Sequence, residues 1–381
     1  MRATPLAALA LALPSCCMAA LPFPAPSPLS GPALAAAAEP MAQPGAAKNS
    51  PRTALLAAIC YHRFGLETRL DPYCMSPQRL AGELSWLRAN GWKSVSLTQV
   101  AAALDGDAGA LPAKGVLLSV DDGYKAGELG APVFERYGFR AVYFVVPDML
   151  GHGAFLSYRD LRELEARGHE VASHTLSHPD LALVPPGMDP AAYARWVDLE
   201  LREPKELLEK ALGHPVDALA WPYGTYNPAV SEAARRAGYR QLWNVSGGVN
   251  RVQGLDPSRL RRIVLVGHPP LASFARRLRS PPLRTPVDCL SEGGLFYRSQ
   301  LPTRIYVPQG VTAALASVPV TPDAAGGLTL SADLPDGFYF LNLADEAGTK
   351  RGSASYLFQV APDAWKACFD TLAATPAPGR P

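Results

Sequence analysis

The run Gly115-Val116-Leu117-Leu118-Ser119-Val120, entered from Lys114 and left at Asp121-Asp122-Gly123, constrains this chain more than any other stretch. A short apolar run bounded by a charge and a turn predicts a strand buried on both faces, as in a parallel sheet. The chain is therefore expected to be an α/β protein, and its two carboxylates emerge where such folds carry their chemistry, at the C-terminal end of a strand. Neighbouring strand residues point to opposite faces, so Asp121 and Asp122 share one mouth only if the backbone bends, and Gly123 is placed to bend it.

Two further apolar runs end in histidine. His169-Glu170-Val171-Ala172-Ser173, preceded by the helix-like Ser157–Glu165, leads into His174, with His178 four residues on; Ala57-Ala58-Ile59-Cys60-Tyr61 leads into His62. A divalent metal used for hydrolysis takes three protein ligands and keeps a position for water or substrate, which one carboxylate and two imidazoles satisfy. A second carboxylate beside the metal is left to take a proton from the attacking water. Asp-Asp-Gly alone is a common turn, and His-x3-His is often two solvated histidines. Their shared placement at strand ends is what argues for one site.

Taken in order, Ser-Val-Asp121-Asp122-Gly, Ser-His174-Thr-Leu-Ser-His178-Pro and Trp221-Pro222-Tyr223-Gly224 resemble the motifs of the polysaccharide deacetylases, carbohydrate esterase family 4. The likeness covers residues 54–280 and includes Tyr137–Val145, similar to the family's second core strand. It implies a distorted (β/α) barrel that removes N- or O-acetyl groups from a polysaccharide with a divalent metal, Zn²⁺ first and Co²⁺ or Ni²⁺ as alternatives. By position, the resemblance makes Asp121 the base and Asp122, His174 and His178 the metal ligands. It also gives the backbone N–H of Tyr223 to the oxyanion. Trp221, Pro222, Tyr124 and Asn227 lie beside these motifs and are candidates for the sugar groove, with local packing as the alternative.

Two departures from the family pattern carry information. The third motif usually has an arginine shortly before Pro-Tyr to orient the base, and here Asp217-Ala218-Leu219-Ala220 has none. The late acid histidine usually follows a leucine by two residues, and Leu265-Val266-Gly267-His268 is one residue too long. The Tyr61-His62 ending is similar to the opening of the poly-β-1,6-N-acetylglucosamine deacetylase branch, in which the barrel is circularly permuted and the acid comes first. That branch also tends to carry Trp-Pro-Tyr-Gly without the arginine. The resemblance thus implies His62 as general acid, His268 as second choice, and hydrolytic de-N-acetylation of a poly-β-1,6-N-acetylglucosamine-like polymer. Peptidoglycan, chitin and O-acetylated xylan are the alternatives within the family. A glycan-binding barrel that hardly turns over is the alternative outside it.

A net charge of +2 with no Lys/Arg block gives no footing for nucleic acid. Arg261-Arg262 and Arg276-Arg277 read as strand-end and helix-surface charges. Arg2 followed by apolar Leu6–Leu13 makes residues 1–38 a signal peptide or lipoprotein leader, with Cys16 as the lipid-anchor candidate, and residues 39–53 a linker. The expected location is the periplasm or cell envelope, lipid-anchored there, or the exterior as a secreted protein. No other run approaches the ~18 apolar residues that span a bilayer.

Cys60, Cys74, Cys289 and Cys368 allow three pairings, and proximity favours Cys60–Cys74 and Cys289–Cys368. Pro281, Pro282 and Pro286 mark a linker over 281–287. Short strand-like runs over 288–361 then predict a small all-β, sandwich-like domain, with 362–381 as a C-terminal tail. The aromatics of that domain are candidates for glycan contact or for its core.

Overall fold

The computed structural model describes residues 54–283, 294–307, 309–315, 318–345 and 352–376. Six parallel strands, β1 (Leu55–Tyr61), β2 (Lys114–Val120), β3 (Ala141–Val145), β4 (Glu170–Ser173), β5 (Ala218–Ala220) and β6 (Gln241–Asn244), lie side by side in chain order. What brings the sheet round is a single short segment. Its first half, β7 (Leu260–Arg261), pairs in parallel with β6, and its second half, β8 (Ile263–Val264), pairs in parallel with β1. The last strand is thereby joined to the first across Arg262, and the sheet becomes a nearly closed barrel.

Alternation along the strands sorts the side chains. Leu56, Ala58, Leu117, Val142, Phe144, Ala172, Ala218, Ala220, Trp243 and Leu260 form one buried cluster, the filling of the barrel. The intervening residues, Ala57, Ile59, Tyr61, Val116, Leu118, Val120, Tyr143 and Val145, pack outward against helices such as α1 (Pro77–Ala89) through Leu80, Leu84 and Leu87. Continuing the inward parity by two residues per step carries Cys60, Ser119, Asp121 and His174 to the upper end of the barrel interior. Helices start where capping chemistry is available: Ser157 and Asp160 form a capping box for α2 (Tyr158–Ala166), and Asp189 caps the 23-residue α3 (Pro190–Leu212).

Among the described residues seven strands follow: β9 (Gly294–Tyr297), β10 (Thr303–Tyr306), β11 (Val311–Leu315), β12 (Val318–Val320), β13 (Gly327–Leu330), β14 (Gly337–Asp345) and β15 (Ser353–Ala361). Five form a sheet in the order β9-β15-β14-β11-β12, and β10 pairs with β13. Ile305 and Leu328 from the pair, with Leu341, Leu343, Phe358 and Val360 from the sheet, bury a common core. Leu357 and Ala361, backed by Phe338 and Phe340, pack instead into a core shared with α3, with α4 (Pro228–Arg236) and with α5 (Lys366–Ala374). Most aromatics of this region are occupied in its two cores, whereas Tyr306 is exposed.

Helix α5 corrects the expectation of a tail over 362–381. Its Cys368, Phe369 and Leu372 are buried, and the Phe369 ring meets Tyr193 of α3 edge-on at 5.7 Å. Phe369→Ala is accordingly expected to lower stability by about 3–5 kcal/mol, read from denaturant melts; a loss within about 0.5 kcal/mol is what a surface substitution would give.

The expected Cys60–Cys74 bridge is absent. Cys60 follows the inward parity of β1 and gives its thiol to Asp121, whereas Cys74 belongs to a short pairing of Cys74–Met75 with Arg63–Phe64. Cys368 is a free buried thiol, and its expected partner Cys289 lies outside the described residues, as do the leader and the 39–53 linker. Among the described residues no helix is long and apolar enough to cross a membrane.

Candidate active site

The mouth of the barrel is marked by backbone strain. Among the described residues the non-glycines with left-handed φ are Asp122 (73°), Thr175 (64°), His178 (66°), Tyr223 (60°) and His268 (56°). All of them follow a barrel strand, after β2, β4, β5 or β8. Left-handed backbone is costly for residues with a Cβ, and it persists where surrounding structure enforces it for a purpose. The bend expected at Gly123 alone begins at Asp122, and Gly123 (φ 76°) continues it. Two successive left-handed residues swing the Asp122 carboxylate to the mouth that Asp121 reaches by parity.

There, Asp122 Oδ1 lies 3.5 Å from His174 Nε2 and 3.4 Å from His178 Nε2, and one ligand atom from each of the three lies within 4.8 Å of the others. His174 Nδ1 is 2.7 Å from the carbonyl of Ala220. A carbonyl only accepts, so Nδ1 carries the hydrogen and the Nε2 lone pair is turned toward Asp122, the arrangement that suits a metal-binding imidazole. Burial would raise the Asp122 carboxyl, but the facing imidazoles of His174 and His178 outweigh it and hold the group far below its usual value. The donor set of one carboxylate and two imidazoles at a strained, partly open mouth fits a divalent ion.

Asp121 is balanced differently. Its Oδ1 receives the Nη1 of Arg262 at 2.7 Å; that nitrogen also donates to Ser119 Oγ at 3.0 Å, and Arg262 Nε donates to the carbonyl of Asn244 at 3.2 Å. Arg262 is 0% exposed. The sequence suggests a strand-end charge, and the structure shows a buried cation bound to Asp121 at the barrel mouth. It occupies the break between β7 and β8, so the segment that joins the barrel ends also delivers the guanidinium missing from the third motif. Burial pushes the Asp121 carboxyl up, but Arg262, then His174 and His62, outweigh it and hold it below its ordinary value.

His62 leaves the end of β1 beside this pair. Polar atoms of Cys60, His62 and Asp121 lie within 4.8 Å of one another. That second cluster already contains its counter-cation in Arg262, unlike the first. Burial lowers the His62 pKa, against the pull of Asp121 and Asp122, and its Nδ1 is buried without a protein partner. The ring packs on Tyr73 at 4.7 Å. His268 lines the same small cavity as His62, but its Nε2 is engaged at 2.7 Å by the carbonyl of Cys74, and it belongs to neither cluster.

The groove candidates separate. Tyr223 is 65% exposed and sets its ring edge-on to His178 at 4.8 Å. Its turn depends on Gly224, where a Cβ would come within 2.1 Å of Val245 Cγ2. Tyr124 stacks on Phe155 at 4.5 Å beneath the Arg63 guanidinium. Three expectations are corrected. Trp221 is buried and stacked on Tyr226, Pro222 is buried, and Asn227 caps α4 through Val230 N while donating to Gln359. Adjacency to a motif does not bring a side chain into the groove when strand parity or a cap directs it inward.

The family profile described as polysaccharide deacetylase matches residues 108–242. The chain carries a polysaccharide deacetylase domain. The matched span of this deacetylase domain contains Asp121, Asp122, His174, His178 and Tyr223, whereas His62 and Arg262 fall before and after it. The domain is similar to YxkH of Bacillus subtilis (strain 168), provisionally assigned as a polysaccharide deacetylase, with 25% identity over 54% of this chain and 70% of that protein. It is also similar to the poly-β-1,6-N-acetyl-D-glucosamine N-deacetylase of Escherichia coli (strain K12), at 25% identity over 52% of this chain. The aligned part is 34% of that enzyme's length. Among solved structures, IcaB from Ammonifex degensii aligns over 59% of this chain and 97% of its own with a TM-score of 0.51 and 25% identity. The deacetylase domain thus shares the barrel-like α/β fold of that structure, and its family is one of hydrolases acting on C–N bonds.

Proposed function

We propose that this protein is an exported, metal-dependent N-deacetylase of a poly-β-1,6-N-acetylglucosamine-like polysaccharide. The observation that carries the reading is the position of His62. It stands at the end of the first barrel strand, ahead of the motif aspartates in the chain and beside Asp121 in space. The similarity to the Escherichia coli enzyme supports the same substrate, and the charge-then-apolar N-terminal order supports export.

Asp122, His174 and His178 would hold a divalent ion, which would supply Lewis-acid polarisation and a more acidic water; the donor set suits Zn²⁺, Co²⁺ or Ni²⁺. Asp121 accepts a proton from the attacking water, with Arg262 fixing its second oxygen so that the carboxylate stays ionised despite burial. The Tyr223 N–H donates to the oxyanion as it develops. His62 donates to the departing amine. Because Arg262 provides a guanidinium for the base, the absence of the motif arginine no longer favours a barrel that binds without turnover. Tyr223 and Tyr124 are the aromatic surfaces at hand for a sugar chain.

The test is acetate release from poly-β-1,6-N-acetylglucosamine, chitin oligomers and peptidoglycan side by side, with and without chelator. Turnover of the first, abolished by chelator, is expected; preference for chitin or peptidoglycan would overturn the substrate, and chelator-resistant turnover the metal. In the same assay His62→Ala is expected to cost about 10²-fold or more in rate and to flatten the basic limb of the pH–rate profile, since loss of the imidazole proton is what ends activity at high pH. His268→Ala should stay within a few-fold of the parent. The opposite ranking would return the acid to the late histidine.

A further inference from the structure

Below the mouth, the barrel places one more polar side chain against the base. Cys60 lies opposite Ser119 across the β1–β2 pairing and two residues before His62. It is fully buried, and its Sγ is 3.3 Å from Asp121 Oδ2. The two oxygens of Asp121 are therefore held from different sides, Oδ1 by Arg262 and Oδ2 by Cys60. Oδ2 is also the oxygen turned toward the metal ligands, 3.8 Å from His174 Nε2.

We propose that Cys60 is a positioning residue for the base, its thiol hydrogen fixing the rotation of the Asp121 carboxylate so that Oδ2 faces the attacking water. The inference rests on the reading of Asp121 as general base. Terminal carboxylate torsions are broad and roughly two-fold, so Arg262 alone, holding one oxygen, leaves the other free to rock. A second anchor removes that freedom, and misplacement by about 1 Å costs as much as 10²-fold in rate. The thiol hydrogen is such an anchor, and a hydroxyl of similar reach at the same position would hold the same oxygen. Burial first, and the Asp121 charge second, push the Cys60 thiol well above its usual value, which keeps the hydrogen on sulfur.

The experiment compares Cys60→Ala, Cys60→Ser and Asp121→Asn in the full chain, measuring kcat, KM, metal content by elemental analysis and thermal midpoint. Cys60→Ala is expected to lower kcat about tenfold with KM and metal content unchanged, and Cys60→Ser to restore kcat to within about threefold of the parent. Parental kcat in Cys60→Ala overturns the proposal. So does a Cys60→Ser variant as slow as Cys60→Ala, which would make volume rather than the donor the cause, or metal lost in step with rate. Full activity in Asp121→Asn would instead show that the base itself has been misassigned, which separates the two failures.

Discussion

Replacing His174 with alanine is expected to strip the protein of its metal and reduce acetate release to background. Three side chains converge on one point, and removing one leaves two, too few to retain a divalent ion against water and buffer. His174 is the ligand whose loss should count most. It is buried, its Nδ1 is tied to the Ala220 carbonyl, and its Nε2 is thereby presented without reorganisation. His178 sits on a strained turn nearer solvent and should follow in the same direction. The measurement is metal stoichiometry after dialysis against metal-free buffer, with circular dichroism to confirm the fold. Full occupancy in His174→Ala would sink the ligand assignment.

Much of this site could be read from the chain because its chemistry stands directly after apolar strands. Asp121 follows β2, His174 follows β4 and His62 follows β1, so their places at strand ends marked them as candidates, and the resemblance of the ordered motifs joined them into one site. Arg262 escaped because a buried arginine is recognisable only by its counter-charge, and Asp121 lies 141 residues away. Arg262 stands beside Arg261 directly before the apolar run Ile263-Val264-Leu265, and that position at the start of a strand was the available signal. Trp221 and Asn227 were misplaced for the reverse reason: they are close to the motif in sequence, but the first stacks in the core and the second caps a helix. Parity also decides the cysteines, since Cys60 shares its face with His62 and points away from any bridge along the surface. The helix at Lys366–Ala374 reads as a tail because a nine-residue helix is marginal alone. It exists here through burial on α3 and α4, a tertiary contact that local sequence does not announce.

Asp121→Asn should separate base from ligand. The amide keeps the shape of the side chain but cannot take the proton of the attacking water, so the rate is expected to fall by about 10²-fold or more with metal content intact. A second effect comes from Arg262, which the substitution leaves as a buried cation without its carboxylate. Removing one member of a buried ion pair costs about 3–5 kcal/mol, so the thermal midpoint should fall as well. The two effects divide when Arg262→Met is added. The double variant no longer buries an uncompensated charge and should regain much of the lost stability, while its activity stays at the level of Asp121→Asn. Recovery of rate in the double variant would mean that Asp121 serves only to neutralise Arg262. Loss of metal in Asp121→Asn would mean that the two aspartates have exchanged roles. The same pair fixes the direction of the acid response. The folded-state pKa of Asp121 is depressed, so its contribution to stability is present at neutral pH and is lost as pH falls through that value. The parent should therefore lose stability in acid more steeply than the double variant, in which neither charge remains.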